Sequence, residues 1–277
     1  GRINLSWADK YLFEGNIRRD GSSRFHKDHR WGTFPSFSLG WRMSEENFMN
    51  SIKWLDMLKL RLSWGALGNN AVDNYEYQSV YNKDNYVLGN SVVPGLAQIQ
   101  LANALVSWET TYVTNIGLDF SLFGSKLDGT IEFFNKDTHD ILIDLPAPLL
   151  VGNASIPTQN AARVRNRGME MNLKWNHRIG KVNYFVGGNF TFIDNEVTRF
   201  KGEERSISGT NMIQEGYPIN IQYVLAVDRI LQTDEDMLFV EKMIKDAPVD
   251  PATGQRVNPF ASYGTPKKGD FLCKDLN

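Results

Sequence analysis

Residues 11–41 read YLFEGNIRRDGSSRFHKDHRWGTFPSFSLGW and contain the pattern that recurs along most of the chain. Its first arm alternates Tyr11 and Phe13 with polar residues, and its second arm alternates Phe37 and Leu39 with serine and glycine. Because strand side chains point to opposite faces with a period of two, each arm has one apolar face and one polar or small face. The Asp-Gly-Ser-Ser sequence between the arms favours chain reversal. The stretch is therefore predicted to form two antiparallel strands.

The same alternation recurs along most of the chain. It predicts strands over 2–7, 11–19, 33–42, 58–65, 112–123, 127–138, 169–175 and 182–193, with a compact turn at 43–57 and irregular segments at 67–110 and 139–165. Short and long connections alternate, so all the long ones lie at one end of an antiparallel meander. Outer-membrane barrels have this arrangement, with short periplasmic turns and long extracellular loops. The sequence thus predicts an all-β, antiparallel transmembrane β-barrel segment whose apolar face meets lipid.

Composition narrows the class of protein further. The 277 residues carry a formal net charge of -2 and 22% charged residues, so no nucleic-acid partner is expected. No apolar run approaches the roughly 18 residues of a membrane helix, which excludes a helical membrane protein but not a barrel. The chain starts without methionine or a signal-like segment, and we expect it to be an internal piece of a longer protein.

The last part of the chain has a weaker pattern. Residues 1–193 are predicted to be barrel strands with their connections, and residues 194–277 an extracellular loop excursion. Within that excursion 217–231 is a possible strand and 234–246 a short helix. Thr233 is the expected N-cap with Asp236 three residues on, and Pro248 ends the helix.

Ordered blocks across nearly the whole chain match one family. They are 11–14 (YLFE), 16–25 (NIRRDGSSRF), 30–42 (RWGTFPSFSLGWR), 44–46 (SEE), 58–61 (LKLR), 65–69 (GALGN), 108–111 (WETT), 115–119 (NIGLD), 167–170 (RGME), 215–219 (EGYPI), 269–270 (GD) and 274–277 (KDLN). Together these blocks resemble the SusC/RagA family of TonB-dependent outer-membrane transporters.

The resemblance implies a barrel of about 22 strands, of which this chain supplies about eight. It also implies the outer membrane of a Gram-negative, Bacteroidetes-like bacterium, with contacts to lipid and lipopolysaccharide. The implied partners are a SusD-like surface lipoprotein that lids the barrel, and the TonB complex, which acts through an N-terminal part outside this sequence. The implied cargo is an oligosaccharide or a peptide.

Two other interpretations stay open at this stage. A siderophore- or cobalamin-type TonB-dependent receptor would lack the lipoprotein lid. A surface glycan-binding β-protein would bury its aromatic side chains between two sheets instead of exposing them to lipid.

A tyrosine-rich run supplies the candidate ligand-binding residues Tyr75, Tyr77, Tyr81 and Tyr86. Aromatic faces beside amide groups suit contacts with sugars or peptides. The alternative is that these side chains form the packed interior of loops over the barrel mouth. The segments 70–107 and 140–160 match no family block, so we expect them to determine cargo choice.

Other candidate sites are weaker. Asp275 and Asn277 begin a D-x-N pattern that suggests calcium in an extracellular loop, with a plain turn as the alternative. The four arginines at 18, 19, 24 and 30 suit either an acidic partner such as lipopolysaccharide or a solvated rim paired with aspartates. His26 and His29 are too few for a typical zinc site. No catalytic motif is present, so neither an enzyme nor an obligatory cofactor is predicted.

Overall fold

The structure is a computed structural model that describes residues 1–145, 150, 152, 154–202, 205–249, 254, 256–261 and 264–274. The chain divides into two compact units, Gly1–Ile221 and Gln222–Asn277. None of the helices in this described part combines the length and the apolar character needed to cross a membrane.

Strands dominate the chain. In order they are β1 (Arg2–Trp7), β2 (Tyr11–Gly21), β3 (Trp31–Arg42), β4 (Leu55–Asn69), β5 (Val80–Leu88), β6 (Ser91–Gln100), β7 (Glu109–Leu122), β8 (Leu127–Ile143), β9 (Gln159–Ile179), β10 (Val182–Phe200), β11 (Arg205–Ser208), β12 (Asn211–Gln214), β13 (Ile221–Gln222), β14 (Val227–Ile230) and β15 (Phe271–Cys273). The described residues also form the α-helix α1 (Asp234–Asp246) and the 3-10 turns Met43–Glu45 and Asn47–Met49.

The first unit is built on one eight-stranded antiparallel sheet in the order β1-β2-β3-β4-β7-β8-β9-β10. All eight strands predicted from the alternation are present. Most of them extend beyond the predicted limits at the end that carries the long connections, which we call the long-loop end. There β9 begins at Gln159 and β4 ends at Asn69, because strand pairing continues past the length that a bilayer requires.

Pairing aligns the apolar residues of all eight strands into rows that run across the sheet. One row consists of Leu5, Phe13, Leu39, Leu62, Ile116, Phe133, Met169 and Phe192. A second consists of Trp7, Tyr11, Trp41, Leu60, Leu118, Ile131, Met171 and Phe190. Residues of the other parity are mostly polar or small, as in the row Asn4, Glu14, Ser38, Ser63 and Asn115.

The apolar face is open rather than covered by a second sheet. Leu5 is 60% exposed, Ile116 50% and Phe133 55%, and the buried clusters of the described residues lie elsewhere. A soluble sandwich would bury such a face, so the prediction of a lipid-facing belt agrees with this arrangement and the buried two-sheet alternative does not. The barrel is not closed by these eight strands alone.

Aromatic side chains mark the end of the sheet that carries the short turns. Trp7 stacks on Tyr11 and Tyr11 on Trp41, with ring centroids 5.4 and 6.4 Å apart. The Glu46 carboxylate accepts hydrogen bonds from the Tyr11 hydroxyl at 2.6 Å and the Trp41 indole N–H at 3.2 Å. Lys10 lies 3.3 Å from the same carboxylate. Glu46 thus fixes the orientation of an aromatic girdle of the kind found at membrane interfaces.

The prediction of an irregular segment over 67–110 is wrong for its central part. There β5 and β6 form an antiparallel hairpin around the turn Gly89-Asn90, where Gly89 has φ of +63°. A glycine in the left-handed region is what a two-residue hairpin turn requires. The polar residues on both faces of β5, and Pro94 within β6, hide the alternation that identified the other strands. For 139–165, strand residues extend inward from both ends, to Ile143 and from Gln159.

The C-terminal part matches its prediction in one element and departs from it in two. Helix α1 spans the predicted residues, and Asp236 accepts hydrogen bonds from the backbone N–H groups of Thr233 and Gln232, which lower the pKa of Asp236 to about 2. A continuous strand over 217–231 is wrong, since only β13 and β14 are extended there. Strand β10 runs to Phe200, past the predicted boundary at 193. Whether 194–277 is extracellular stays a prediction.

We predict that the two faces of the sheet respond oppositely to a charge. Leu118→Arg places a cation in an apolar row and should cost about 2–4 kcal/mol in a lipid-facing position, reducing outer-membrane assembly of the full-length protein. Ser63→Arg adds the same side chain on the polar face beside Asn115, whose Oδ1 has no hydrogen-bond partner in the described residues, and should assemble normally. Heat-modifiable migration on gels measures assembly, and equal losses for both variants would contradict the face assignment.

A second prediction concerns acid sensitivity. Hydrogen bonds from Tyr11 and Trp41 lower the pKa of Glu46 below its usual value of 4.5. A carboxylate with a depressed pKa in the folded protein stabilises it fully above the unfolded value, and this contribution disappears as the pH falls through the folded pKa. The unfolding temperature of the full-length protein in detergent should therefore fall more between pH 7 and pH 3 for wild type than for Glu46→Gln. Glu45→Gln is the matched control and should behave as wild type; identical pH profiles for wild type and Glu46→Gln would refute the role.

Candidate functional site

Three connections at the long-loop end pack around a small apolar core. Phe25, Val72 and Val106 are buried together, and Trp108 and Leu142 pack against them. Polar contacts tie the same segments to each other. The Arg24 guanidinium donates to the Val72 carbonyl at 2.8 Å, and the Trp108 indole N–H donates to the Arg30 carbonyl at 3.1 Å. The segments 22–30, 70–78 and 101–108 therefore form one ordered structure, which we call the loop cluster.

A buried carboxylate connects the loop cluster, through hydrogen bonds, to the segment that precedes β9. Glu76 is only 5% exposed. It accepts hydrogen bonds from the Thr158 backbone N–H at 2.8 Å, from the Thr158 hydroxyl at 3.2 Å and from the Asp73 backbone N–H at 3.2 Å. Asn103 donates to the Thr158 carbonyl at 2.9 Å. Sequence reasoning missed Glu76, because a single acid in a polar segment gives no sign that it is buried.

Two of the four predicted ligand-binding tyrosines lie on the loop cluster. Tyr75 is exposed and has φ of +66°, a backbone conformation that is strained for a bulky residue. Tyr77 is half-buried, with its ring centroid 6.5 Å from that of Tyr75 and 6.0 Å from that of His26. Glu76 lies between them in sequence, so its hydrogen bonds anchor the backbone segment that carries both tyrosines.

The other two tyrosines stand on the hairpin formed by β5 and β6. Tyr81 pairs with Gln98 and Tyr86 pairs with Val93. Because they are five residues apart on one strand, their side chains point to opposite faces of the hairpin. The structure thus brings Tyr75 and Tyr77 together and separates Tyr81 from Tyr86. A ligand-binding role for any of them stays a prediction.

The polar face of the sheet carries a charged cluster that sequence reasoning also missed. The Arg61 Nε donates to Asp119 at 2.7 Å, and Arg61 Nη2 lies 3.2 Å from Glu132. The Thr130 hydroxyl donates to Asp119 at 3.2 Å. A Cβ at Gly117 would come within 2.8 Å of Arg61 Nη2, so glycine there leaves the room that the guanidinium occupies. The sequence indicated that these residues lie on the polar face of neighbouring strands. Only the register between the strands shows which of them are in contact.

The remaining candidate sites have simpler surroundings. Arg18 pairs with Asp20 at 2.6 Å, as the solvated-rim alternative predicts, and His26 pairs with Asp28 at 3.1 Å. In the described part of the chain, no group of three or more His, Cys, Asp or Glu side chains could hold a metal ion. The predicted calcium residues Asp275 and Asn277 lie outside the described residues.

We predict that Glu76 is required for the order of the loop cluster. Glu76→Ala removes an acceptor of three hydrogen bonds, each worth about 1.5–3 kcal/mol when one partner is charged. Limited proteolysis of the full-length protein should then cut within 70–78 and 154–158 much faster than in wild type. Glu76→Gln keeps one acceptor oxygen and should show a smaller increase. Unchanged cleavage of Glu76→Ala would show that the apolar core alone holds the loops.

Comparison with known proteins identifies the family. Residues 1–225 match the model described as TonB dependent receptor-like, beta-barrel. The chain is 35% identical to TonB-dependent receptor P39 of Formosa agariphila, covering 98% of this chain and 26% of that protein. It is 36% identical to TonB-dependent receptor SusC of Bacteroides thetaiotaomicron, covering 74% of this chain and 21% of that protein.

Solved structures give the same result. The RagAB peptide transporter superposes with a TM-score of 0.73 and 28% identity, over 82% of this chain and 25% of the matched chain. The RagAB peptide importer in its closed-closed state superposes with a TM-score of 0.74 and 26% identity, over 92% of this chain and 28% of the matched chain. The chain thus spans about a quarter of the length of these relatives. With its two-faced antiparallel sheet, it belongs to the β-barrel family of TonB-dependent receptors and is similar to the SusC and RagA members of that family.

Proposed function

We propose that this chain forms part of the wall and mouth of a TonB-dependent importer in the outer membrane of a Gram-negative, Bacteroidetes-like bacterium. The observation that carries the proposal is the two-faced sheet. Its apolar rows suit contact with lipid, and its polar parity, including the Arg61–Asp119–Glu132 cluster, suits an aqueous interior. The matched relatives are receptors and transporters rather than enzymes, which supports a role in binding and translocation.

The cargo that we propose is an oligosaccharide or a peptide. The paired rings of Tyr75 and Tyr77 offer exposed aromatic surface, and the neighbouring loop segments carry amide side chains such as Asn74. Aromatic area with directional hydrogen bonds is suited to either ligand class. The similarity to the RagAB peptide importer supports peptides, and the family resemblance of the sequence implies oligosaccharides as the other class.

The proposed partners are a SusD-like surface lipoprotein that closes the barrel mouth and the TonB complex, which acts through a part of the protein outside this sequence. The exposed apolar side chains of the β5–β6 hairpin support a protein partner at the long-loop end. Leu88, Val92 and Leu96 are each more than 60% exposed on this two-stranded element, and an isolated hairpin is marginally stable in water. Calcium bound through Asp275 and Asn277 stays a proposal as well.

Co-purification and uptake test the proposal together. The tagged full-length protein, extracted from its own outer membrane in mild detergent, should bring down one stoichiometric surface lipoprotein. Deletion of the receptor gene should abolish growth on one class of oligosaccharides or peptides. Removing TonB should give the same growth defect. A receptor that co-purifies alone and restores uptake of an iron chelate or a cobalamin would overturn the proposal in favour of a siderophore- or cobalamin-type receptor.

Substitution of the tyrosine pair tests the cargo contacts. Tyr75→Ala with Tyr77→Ala should weaken cargo binding by about tenfold or more, because each buried aromatic contact contributes roughly 0.5–1.5 kcal/mol beyond its area. Tyr86→Ala on the hairpin is the comparison variant, because Tyr86 is separated from this pair. Binding to the purified full-length protein can be followed by calorimetry. Loss of binding in Tyr86→Ala alone would move the ligand site to the hairpin.

A further inference from the structure

The lipid-facing parity of β9 changes abruptly from apolar to cationic. From the short-turn end upward, the residues on this face are Trp175, Leu173, Met171, Met169, Arg167, Arg165 and Arg163. Met171 and Met169 belong to the two apolar rows, so three consecutive arginines follow directly where the belt ends. Next to an apolar belt that contacts hydrocarbon, such a cationic segment suits the layer of lipid headgroups.

The neighbouring strands carry aromatic side chains on the same face. Trp64 stacks on Tyr112 with ring centroids 6.1 Å apart, and both belong to the apolar parity of their strands. Through the pairing of β7, β8 and β9, Tyr112, Asp137 and Arg165 form one row. Aromatic girdles lie at the membrane interface of outer-membrane barrels, and Arg165 shares a pairing row with one interface-type residue, Tyr112.

Carboxylates on the same face hold two of the arginines in place. Arg163 donates to Asp137 through Nε at 2.9 Å and also through Nη2. Arg167 donates to Asp194 at 3.0 Å. Arg165 is only 3.9 Å from Asp137 and faces Glu196 across the strand pair, yet makes no hydrogen bond to either. A guanidinium has five N–H donors, so most donors of this group remain available.

A fourth arginine places two positive charges opposite each other on paired strands. Arg199 on β10 is the direct cross-strand partner of Arg163, where a bulge between Val197 and Arg199 brings the two to the same face. Like charges directly opposite each other in a sheet are destabilising. An anion between the guanidinium groups would remove this repulsion. On this face of β8, β9 and β10, the basic side chains are the four arginines and His139. The acidic side chains are Asp137, Asp194 and Glu196.

We propose that Arg163, Arg165 and Arg199 bind the phosphate groups of a lipid headgroup in the surrounding outer leaflet, such as that of lipopolysaccharide. Guanidinium groups form paired, charge-assisted hydrogen bonds with phosphate oxygens. Lipid is the source of phosphate that fits, because the site continues directly from the belt that contacts acyl chains. The long arginine stems can lie along that apolar surface with their charged ends in the headgroup layer. The inference rests on which face meets lipid, and is independent of the cargo.

Lipid binding to the full-length protein tests the inference. The purified protein would be exchanged into micelles containing diphosphoryl lipid A, or the same lipid with its phosphates removed, and bound lipid counted by native mass spectrometry. Wild type should bind the phosphorylated lipid at least about tenfold more tightly, since charge-assisted hydrogen bonds between guanidinium and phosphate are stronger than neutral ones. Arg165→Gln with Arg199→Gln should reduce this preference to about twofold or less, while leaving Arg163 to pair with Asp137.

Controls separate the alternatives. Lys136→Gln removes a cation at a similar height on the opposite face of β8 and should keep the preference. Arg165→Lys with Arg199→Lys should retain part of the preference for the phosphorylated lipid. Heat-modifiable migration on gels checks that each variant barrel is folded. Equal binding of both lipids by wild type, or an unchanged preference in the double Gln variant, would overturn the inference. Displacement of the lipid by millimolar inorganic phosphate would show a site for free anions and would overturn it too.

Discussion

The register between neighbouring strands aligns the apolar residues of the eight-stranded sheet on one face. Each strand has one apolar and one polar parity, but a membrane wall forms only if all eight strands present the same parity to the same side. A slip of one residue between two strands would turn the whole apolar set of one of them inward. The unbroken row from Leu5 to Phe192 shows that no such slip occurs across the belt.

The same register gives the strands a second use beyond the apolar belt. Above it, β8, β9 and β10 continue as a sheet, and their outward positions become charged while their inward positions become apolar. There Val164 and Val197 are buried with Phe200, and Ile213 and Ile219 from the following segment pack on them. The inversion of polarity along one strand follows from the surroundings, since outside the bilayer an exposed face meets water and headgroups.

The loop cluster is organised by a different balance of forces. Its apolar core is small, and buried polar groups at its edge are costly unless they are hydrogen-bonded. Glu76 is satisfied by three donors, two of them on Thr158, so its burial links two connections that are 82 residues apart in sequence. The exposed ring of Tyr75 and the half-buried ring of Tyr77 lie on this base. A binding surface in a loop gains precision when buried contacts already hold the loop in place.

The fold class, the existence of the eight barrel strands, the orientation of their faces and the family resemblance could all be read from the sequence, because period-two alternation and turn residues are local signals. Helix α1 was equally readable from its capping residues Thr233 and Asp236. Tertiary structure alone decided the strand lengths, the β5–β6 hairpin, the burial of Glu76, the Arg61–Asp119–Glu132 cluster and the opposition of Arg163 to Arg199. Each of these depends on which distant residues pairing brings together, and local alternation carries no information about that choice.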